Sequence, residues 1–246
     1  MTSPTDEGRL FGVGVGPGDP ELMSVKAARL IESTIDVAYF AARGRPSNAR
    51  RIAADLLTDK HVEHRIEYPV TIEVSAAGEA YETLLLGCYD EAAARLERVL
   101  AAGRDVAVLC EGDPFFYGSY MYLHNRLAAR FHATVIPGIP SPAAGAAALG
   151  RPLVCGNEVL SVLSGVLTAD ELAQALANCD AAVIIKLGRN LAKVRGAVEA
   201  AGLLPRAFYV ERATSDAQVC SPLVEAVGEA PYFSMVVVPS ATAWRR

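Results

Sequence analysis

Two loops of the sequence concentrate the residue types that could bind a ligand or move a proton. The first, Gly12 to Asp19, has four glycines among eight residues, and the second, Glu111 to Tyr120, has two acids, four aromatic residues and two glycines among ten. Glycine lets a ligand approach the backbone, acids accept hydrogen bonds or protons, and aromatic rings supply flat contact surface. Loops of this composition usually bind something, so both predict a binding site.

The first loop does not fit the common nucleotide-binding motifs. A GxGxxG motif begun at Gly12 requires glycine where Pro17 stands, and one begun at Gly14 requires it where Asp19 stands. The Lys-Ser/Thr ending of a P-loop is missing, and Asp19 would compete with a phosphate for the same backbone amides. A dinucleotide oxidoreductase is therefore disfavoured. The loop is either a tight strand-to-helix connection or a place where a non-anionic ligand approaches the backbone.

The second loop also has two interpretations. Gly112-Asp113-Pro114 could form only an N-cap and a turn, with Phe115, Phe116 and Tyr117 filling the core. Alternatively, Asp113 accepts hydrogen bonds from ribose hydroxyls. The residue types alone leave both interpretations open.

Predicted strands and helices alternate around these loops. Apolar runs predict strands from Arg9 into the first loop, over Ile35 to Phe40 and over Asp105 to Cys110. The segment Asp19-Pro20-Glu21 is typical of a helix N-terminus, with Asp19 as the N-cap. Such alternation predicts βαβ units and a mainly parallel sheet, with binding loops at the carboxyl ends of its strands.

A domain boundary is predicted over residues 136–142, where three prolines and a glycine interrupt regular structure. We expect a polar tail over residues 1–8, an α/β domain over 9–136 and a second α/β domain over 137–246. The strands predicted in the second half are Val159 to Leu163, Ala181 to Leu187, Ala207 to Glu211 and Phe233 to Val238.

Composition and charge disfavour several classes of protein. No apolar run approaches the roughly eighteen residues of a membrane helix, and the first residues do not resemble a secretory signal, which predicts a cytoplasmic location. With 23 basic and 28 acidic residues the net charge is −5, which disfavours nucleic acid. The five widely spaced cysteines predict reduced thiols rather than a disulfide framework or a CxxC site.

Two groups of basic side chains are candidate ligand contacts. His61 and His64 stand one helical turn apart, but no cysteine or third histidine lies near in sequence, so they are interpreted as solvated and no metal site is predicted. An arginine cluster is either a solvated surface or a contact for substrate carboxylates. It consists of Arg43, Arg45, Arg50 and Arg51.

The two loops together resemble a known family, the class III S-adenosylmethionine-dependent tetrapyrrole methyltransferases. Residues 14–22 match its GxGPGDPEL segment, residues 112–118 its GDPFFYG loop, and residues 137–141 its PGIPS junction. Lys186 to Asn190 and Tyr209 to Thr214 extend the similarity through the second half of the chain. The resemblance therefore covers most of the chain.

The resemblance implies two α/β domains, each a mixed or mainly parallel sheet flanked by helices, with S-adenosylmethionine held in the cleft between them. It further implies a homodimer and a tetrapyrrole substrate. The cofactor contacts it implies are Pro17, Gly112, Asp113, Phe116, Pro140, Ser141, Leu187 and Ala213.

Within this family the sequence is most similar to members that methylate precorrin-2 at carbon 20. That substrate carries many carboxylates, for which Arg43, Arg45, Lys186, Arg189 and Arg212 are candidate partners, and Asp19 is the candidate base or orienting group. Three alternatives remain: a methyltransferase of the same fold acting at another ring position, on cobalt-factor II, on diphthamide or on ribosomal RNA; a non-catalytic tetrapyrrole-binding protein; and, weakly, a dinucleotide oxidoreductase.

Overall fold

Strands and helices alternate along residues 7–68 and 79–241, which are the residues that the computed structural model describes. The chain divides into two units, Met1–Pro140 and Ser141–Arg246. The division lies inside the proline-rich segment 136–142.

The first unit contains a five-stranded sheet with all of its strand pairs parallel. Its strands are β1 (Leu10–Gly14), β2 (Asp36–Ala42), β3 (Val62–Tyr68), β4 (Val106–Cys110) and β5 (Ala133–Ile136). Its helices are α1 (Val25–Ser33), α2 (Asn48–Ile52), α3 (Glu79–Ala101) and α4 (Tyr120–Leu127). The strand order is β3-β2-β4-β1-β5.

Both faces of this sheet are covered by helices. Every residue of β1 and β4 is buried, as expected for central strands of a covered parallel sheet. Successive strand residues point to opposite faces, so Leu10 packs with α3 and α4, whereas Phe11 packs with α1 and α2.

The strand order reverses direction at β1 and β4. These strands are neighbours, but the chain leaves β1 toward β2 through α1 and leaves β4 toward β5 through α4, in opposite directions across the sheet. The two connecting helices therefore lie on opposite faces. Ligands of open α/β sheets bind in the crevice that opens at such a reversal.

The second unit contains a five-stranded mixed sheet. Its strands are β6 (Leu160–Ser164), β7 (Ala181–Ile185), β8 (Phe208–Glu211), β9 (Val219–Pro222) and β10 (Ser234–Val238), and its helices are α5 (Ser141–Leu149), α6 (Ala169–Ala177) and α7 (Leu191–Ala200). The order is β6-β7-β10-β8-β9, in which the first pair is parallel and the other three pairs are antiparallel. The predicted α/β class is confirmed, with one parallel and one mixed sheet.

The start of the first helix differs from the prediction. Asp19 caps only the short 3-10 helix Pro20–Leu22. Met23 is then extended, and Ser24 is the N-cap of α1, accepting a hydrogen bond from the Ala27 N–H at 3.2 Å. Met23 therefore breaks the helical path that the sequence pattern indicated.

The interpretation of His64 as a solvated residue is wrong. His64 lies on β3, its side chain is only 12% exposed, and its Nε2 is 2.7 Å from Oδ1 of the fully buried Asp36. His61, just before β3, has its Nε2 3.1 Å from the carbonyl oxygen of Ile31. Both histidines thus connect neighbouring elements of the first unit.

Candidate active site

Three loops meet at the carboxyl edge of the first sheet. Gly16, after β1, and Gly112, after β4, form an antiparallel bridge in which the Gly112 N–H donates to the Gly16 carbonyl at 2.8 Å. The Gly138 N–H, after β5, donates to Asp113 Oδ2 at 3.1 Å. Hydrogen bonds to backbone groups therefore join the loops that follow three strands, at the position where the strand order reverses.

Glycine is required where these loops touch. A Cβ on Gly138 would lie 2.0 Å from the Gly112 carbonyl oxygen, and one on Gly14 would lie 2.5 Å from the Gly138 nitrogen. Neither backbone group can rotate away as a side chain would. The glycines are thus required by contacts between different loops, whereas ligand contact by this loop stays a prediction.

The two aspartates of these loops serve local structure. Asp113 accepts from the Phe115 N–H at 2.8 Å with one oxygen and from the Gly138 N–H with the other. Asp19 Oδ1 accepts from the Glu21 N–H at 2.8 Å. The turn at Asp113 is therefore present, and its bond to ribose stays a prediction that would use the remaining lone pairs of its oxygens.

The aromatic residues of the second loop are not all core residues, as one interpretation required. Phe115 and Tyr117 are 48% and 46% exposed. Phe115 contacts the rings of Tyr120 and His124, with centroids 5.8 and 5.0 Å away. Tyr117 has a φ of +56°, a left-handed conformation that costs about 1–3 kcal/mol outside glycine. This loop presents aromatic surface at the carboxyl edge.

Tyr120 explains the glycine at position 12. Its side chain is fully buried, and a Cβ on Gly12 would lie 2.5 Å from its ring. Burial raises the pKa of the Tyr120 phenol. Gly12 is therefore required by packing beneath the loops.

Glu111 is a candidate functional residue that the sequence pattern did not identify. It follows β4 directly, is half-buried, and accepts a hydrogen bond from the Ala49 N–H at 3.2 Å. Burial raises the pKa of its carboxyl group, opposed by hydrogen bonds from its own backbone N–H and that of Ala49. The only sign of this in the sequence is that Glu111 directly follows a buried strand. The desolvation of its carboxyl group comes from packing against α2.

The predicted arginines of the first unit lie after β2, at the same edge of the sheet. Arg43 and Arg45 are exposed and make no ion pair within the described residues. Arg50 instead binds Glu63, with Nη2 and Oε1 2.9 Å apart, while the Tyr39 hydroxyl donates to the same carboxylate at 2.6 Å. The Arg50 guanidinium and the Tyr39 hydroxyl hold the pKa of Glu63 below its ordinary value.

The predicted residues of the second unit follow β7 and β8, which run in the same direction on either side of β10. Their loops therefore emerge at one edge of that sheet. Arg212 Nη1 is 2.5 Å from Glu211 Oε1. Left-handed backbone recurs here at three residues other than glycine: Lys186 (φ +58°), Arg212 (+47°) and Thr214 (+69°).

The candidate cofactor residues differ in what they expose. Leu187 is fully buried and Ala213 is 5% exposed, so these positions can offer a ligand mainly backbone atoms. The remaining six are half-buried: Pro17, Gly112, Asp113, Phe116, Pro140 and Ser141.

Two features are absent from the part of the chain that the structure describes. It contains no group of three or more His, Cys, Asp or Glu side chains arranged to hold a metal ion. None of its helices combines the length and the apolar character that crossing a membrane requires.

Comparison with solved structures supports the fold. The uroporphyrin-III C-methyl transferase of Thermus thermophilus, solved as a complex with S-adenosyl homocysteine, superposes with a TM-score of 0.67 at 23% identity, covering 94% of this chain and 92% of that one. At that identity the likeness establishes the architecture.

Sequence comparison establishes the family. Residues 9–226 match the family described as Tetrapyrrole (Corrin/Porphyrin) Methylases, so the chain belongs to that family. A Sinorhizobium protein named precorrin-2 C(20)-methyltransferase is 50% identical over 94% of this chain and 95% of its own length. The cobalt-precorrin-2 C(20)-methyltransferase of Salmonella typhimurium is 30% identical over 94% of this chain and 96% of its own.

Proposed function

We propose that this protein transfers a methyl group from S-adenosylmethionine to carbon 20 of precorrin-2, giving precorrin-3A for cobalamin biosynthesis. The observation that carries the proposal is 50% identity to the Sinorhizobium enzyme along nearly the full length of both chains. The joined loops of the first sheet support it, because they lie where the strand order reverses, the place at which open α/β sheets generally bind ligands.

The donor set of the first unit fits this cofactor. Phe116 offers an aromatic face for the adenine, Asp113 retains lone pairs for the ribose, and the loop backbone offers amide and carbonyl groups. When bound, S-adenosylmethionine supplies an electrophilic methyl group. We assign its binding to Pro17, Gly112, Asp113, Phe116, Pro140, Ser141, Leu187 and Ala213.

The protein's task in such a reaction is mainly to position the reactants. The sulfonium and the ring carbon neutralise each other as the methyl group moves, so holding them in line in a dry site accounts for most of the acceleration. The loops of the first unit suit this task because their glycine contacts leave little room for displacement. Asp19 is the candidate base or orienting group from the sequence, and its carboxylate also caps a 3-10 turn.

We propose that substrate carboxylates bind to basic groups at the edges of the two sheets. Arg43 and Arg45 are the best placed, since both are exposed and form no ion pair within the described residues. Arg212 must share its guanidinium with Glu211. The full set is Arg43, Arg45, Lys186, Arg189 and Arg212.

A second candidate is the same methyl transfer to the cobalt-containing ring. The Salmonella typhimurium relative supports it, but at 30% identity against 50% for the relative named for the metal-free ring. We therefore favour the metal-free substrate. We also propose that the protein is cytoplasmic and that it forms a homodimer. Sedimentation of the purified chain tests the oligomeric state.

Two measurements test the activity. The protein is titrated calorimetrically with S-adenosylhomocysteine, then incubated with S-adenosylmethionine and precorrin-2, or with cobalt-precorrin-2, while product mass is followed. We expect binding and a gain of one methyl group at carbon 20 of the metal-free ring. Binding without methylation of either ring would refute the substrate, and failure to bind would refute the methyltransferase function.

A further inference from the structure

The proposed reaction requires a proton acceptor. The carbon–methyl bond forms as the sulfur–methyl bond breaks, which leaves neutral S-adenosylhomocysteine and a positively charged ring. The electron pair of the carbon–hydrogen bond at carbon 20 then returns to the ring and neutralises it. The released proton must pass to a base and from there to water.

Three carboxylates lie in the two loops that follow β1 and β4. Asp113 uses both oxygens to hold its own turn and Gly138. Asp19 caps a turn through Oδ1. Glu111 receives only backbone N–H groups, from Ala49 and from itself, and forms no ion pair within the described residues. Of the three, Glu111 is the one that directly follows a strand, and its carboxyl group is held only by backbone N–H groups.

Its place in the sheet suits proton transfer. Glu111 follows β4 at the reversal of strand order and shares with Leu109 the face that α1 and α2 cover. Ala49, whose N–H binds Glu111, lies in the first turn of α2, and α2 follows the loop that carries Arg43 and Arg45. A ring whose carboxylates bind those arginines would lie over the end of β4.

We infer that Glu111 accepts the proton from carbon 20, an inference that rests on the proposed methyl transfer. Its raised pKa brings its basicity toward the working pH, as an efficient base requires. The titratable neighbours along its own chain are Cys110 and Asp113. Helix α2 packs against Glu111 through the backbone of Ala49, and the charged residues of that helix are Arg50, which pairs with Glu63, and Arg51.

Precorrin-2 deuterated at carbon 20 tests the inference. In Glu111→Gln we expect kcat to fall about 100-fold, the lower range for general base catalysis, and a primary deuterium isotope effect to appear because proton removal becomes rate-limiting. Glu111→Asp should restore part of the rate. Asp19→Asn, the rival, should show no isotope effect. Glu97→Gln, at a surface ion pair with Arg130, is the matched control and should behave as wild type.

The wild-type enzyme supplies an independent measurement. As pH falls through the pKa of Glu111, kcat should fall and the isotope effect should appear, because the protonated carboxyl cannot accept a proton. Three results would overturn the inference: Glu111→Gln at wild-type rate, a slow Glu111→Gln without an isotope effect or without S-adenosylhomocysteine binding, or an isotope effect confined to Asp19→Asn. A wild-type protein that methylates nothing would instead refute the proposed function on which the inference rests.

Discussion

The loop edges of the two sheets are held together differently. In the first unit, left-handed backbone falls on Gly16 and Gly112 where the loops touch and on Tyr117 further along the second loop, and glycine contacts too tight for any side chain hold the loops together. In the second unit left-handed backbone falls on Gly188 and also on Lys186, Arg212 and Thr214, whose side chains make such φ values costly. The first edge is fixed by steric exclusion, and the second keeps strained residues that carry charge or a hydroxyl.

Gly138→Ala should have the largest effect, because it breaks the contact on which the first edge depends. Its Cβ would lie 2.0 Å from the Gly112 carbonyl oxygen and 2.9 Å from Gly14 Cα, which only backbone movement can relieve. We expect a loss of about 3 kcal/mol or more in the free energy of unfolding, measured in urea, together with loss of S-adenosylhomocysteine binding.

The matched control is Gly196→Ala in α7 of the second unit. A Cβ there meets nothing within 4 Å, so the substitution should stabilise the protein by up to about 1 kcal/mol through helix propensity. Equal destabilisation by both substitutions would contradict the steric account of the first edge.

Arg43→Ala should weaken substrate binding more than Arg212→Ala does. Arg43 has no ion pair within the described residues, whereas Arg212 lies 2.5 Å from Glu211. We expect about a tenfold rise in KM for Arg43→Ala, about 1.4 kcal/mol, with kcat little changed because carboxylate contacts persist in the transition state. Arg212→Ala should raise KM less. An unchanged KM with a collapsed kcat would contradict this account.

Tyr209→Phe should have the smallest effect. In each unit a tyrosine hydroxyl donates to a glutamate that also binds an arginine: Tyr39 to Glu63, and Tyr209 to Glu211 at 2.9 Å. Removing the Tyr209 hydroxyl should lower the free energy of unfolding by about 1 kcal/mol at neutral pH.

Alkaline pH tests the same tyrosine. Burial and the hydrogen bond to Glu211 raise the pKa of Tyr209 to about 12. A raised pKa means that this stabilisation is complete below the unfolded value near 10 and is lost as pH rises toward 12. The stability of wild type should therefore decline relative to Tyr209→Phe over that interval, and parallel pH curves would contradict the assignment.

Local pattern predicted the fold and its loops well. Buried apolar runs predicted β1 and β4 and the loops after them, because the residues that form a buried strand and a glycine-rich turn are neighbours in the sequence. The predicted start of α1 was wrong because the backbone of Met23 is extended, and apolar periodicity does not reveal the backbone conformation of a single residue. The short strand β9 (Val219–Pro222) was not predicted, since it is largely exposed and lacks alternation.

Long-range packing set the features that the sequence did not reveal. His64 meets Asp36 across neighbouring strands, and Glu111 is desolvated against α2, far away in the chain. Neither environment can be read from flanking residues. The cofactor and substrate residues named from the family resemblance stay predictions, which the binding and kinetic measurements above address.

The packed glycines of the first edge also limit how its specificity could be redesigned. Positions 14 and 138 admit no side chain, so a mutagenesis library there would return mostly misfolded clones. Phe115 and Tyr117, both nearly half exposed, can be randomised without filling space that the backbone occupies. Ligand preference is therefore best varied at Phe115 and Tyr117 of the second loop, with the packed glycines left unchanged.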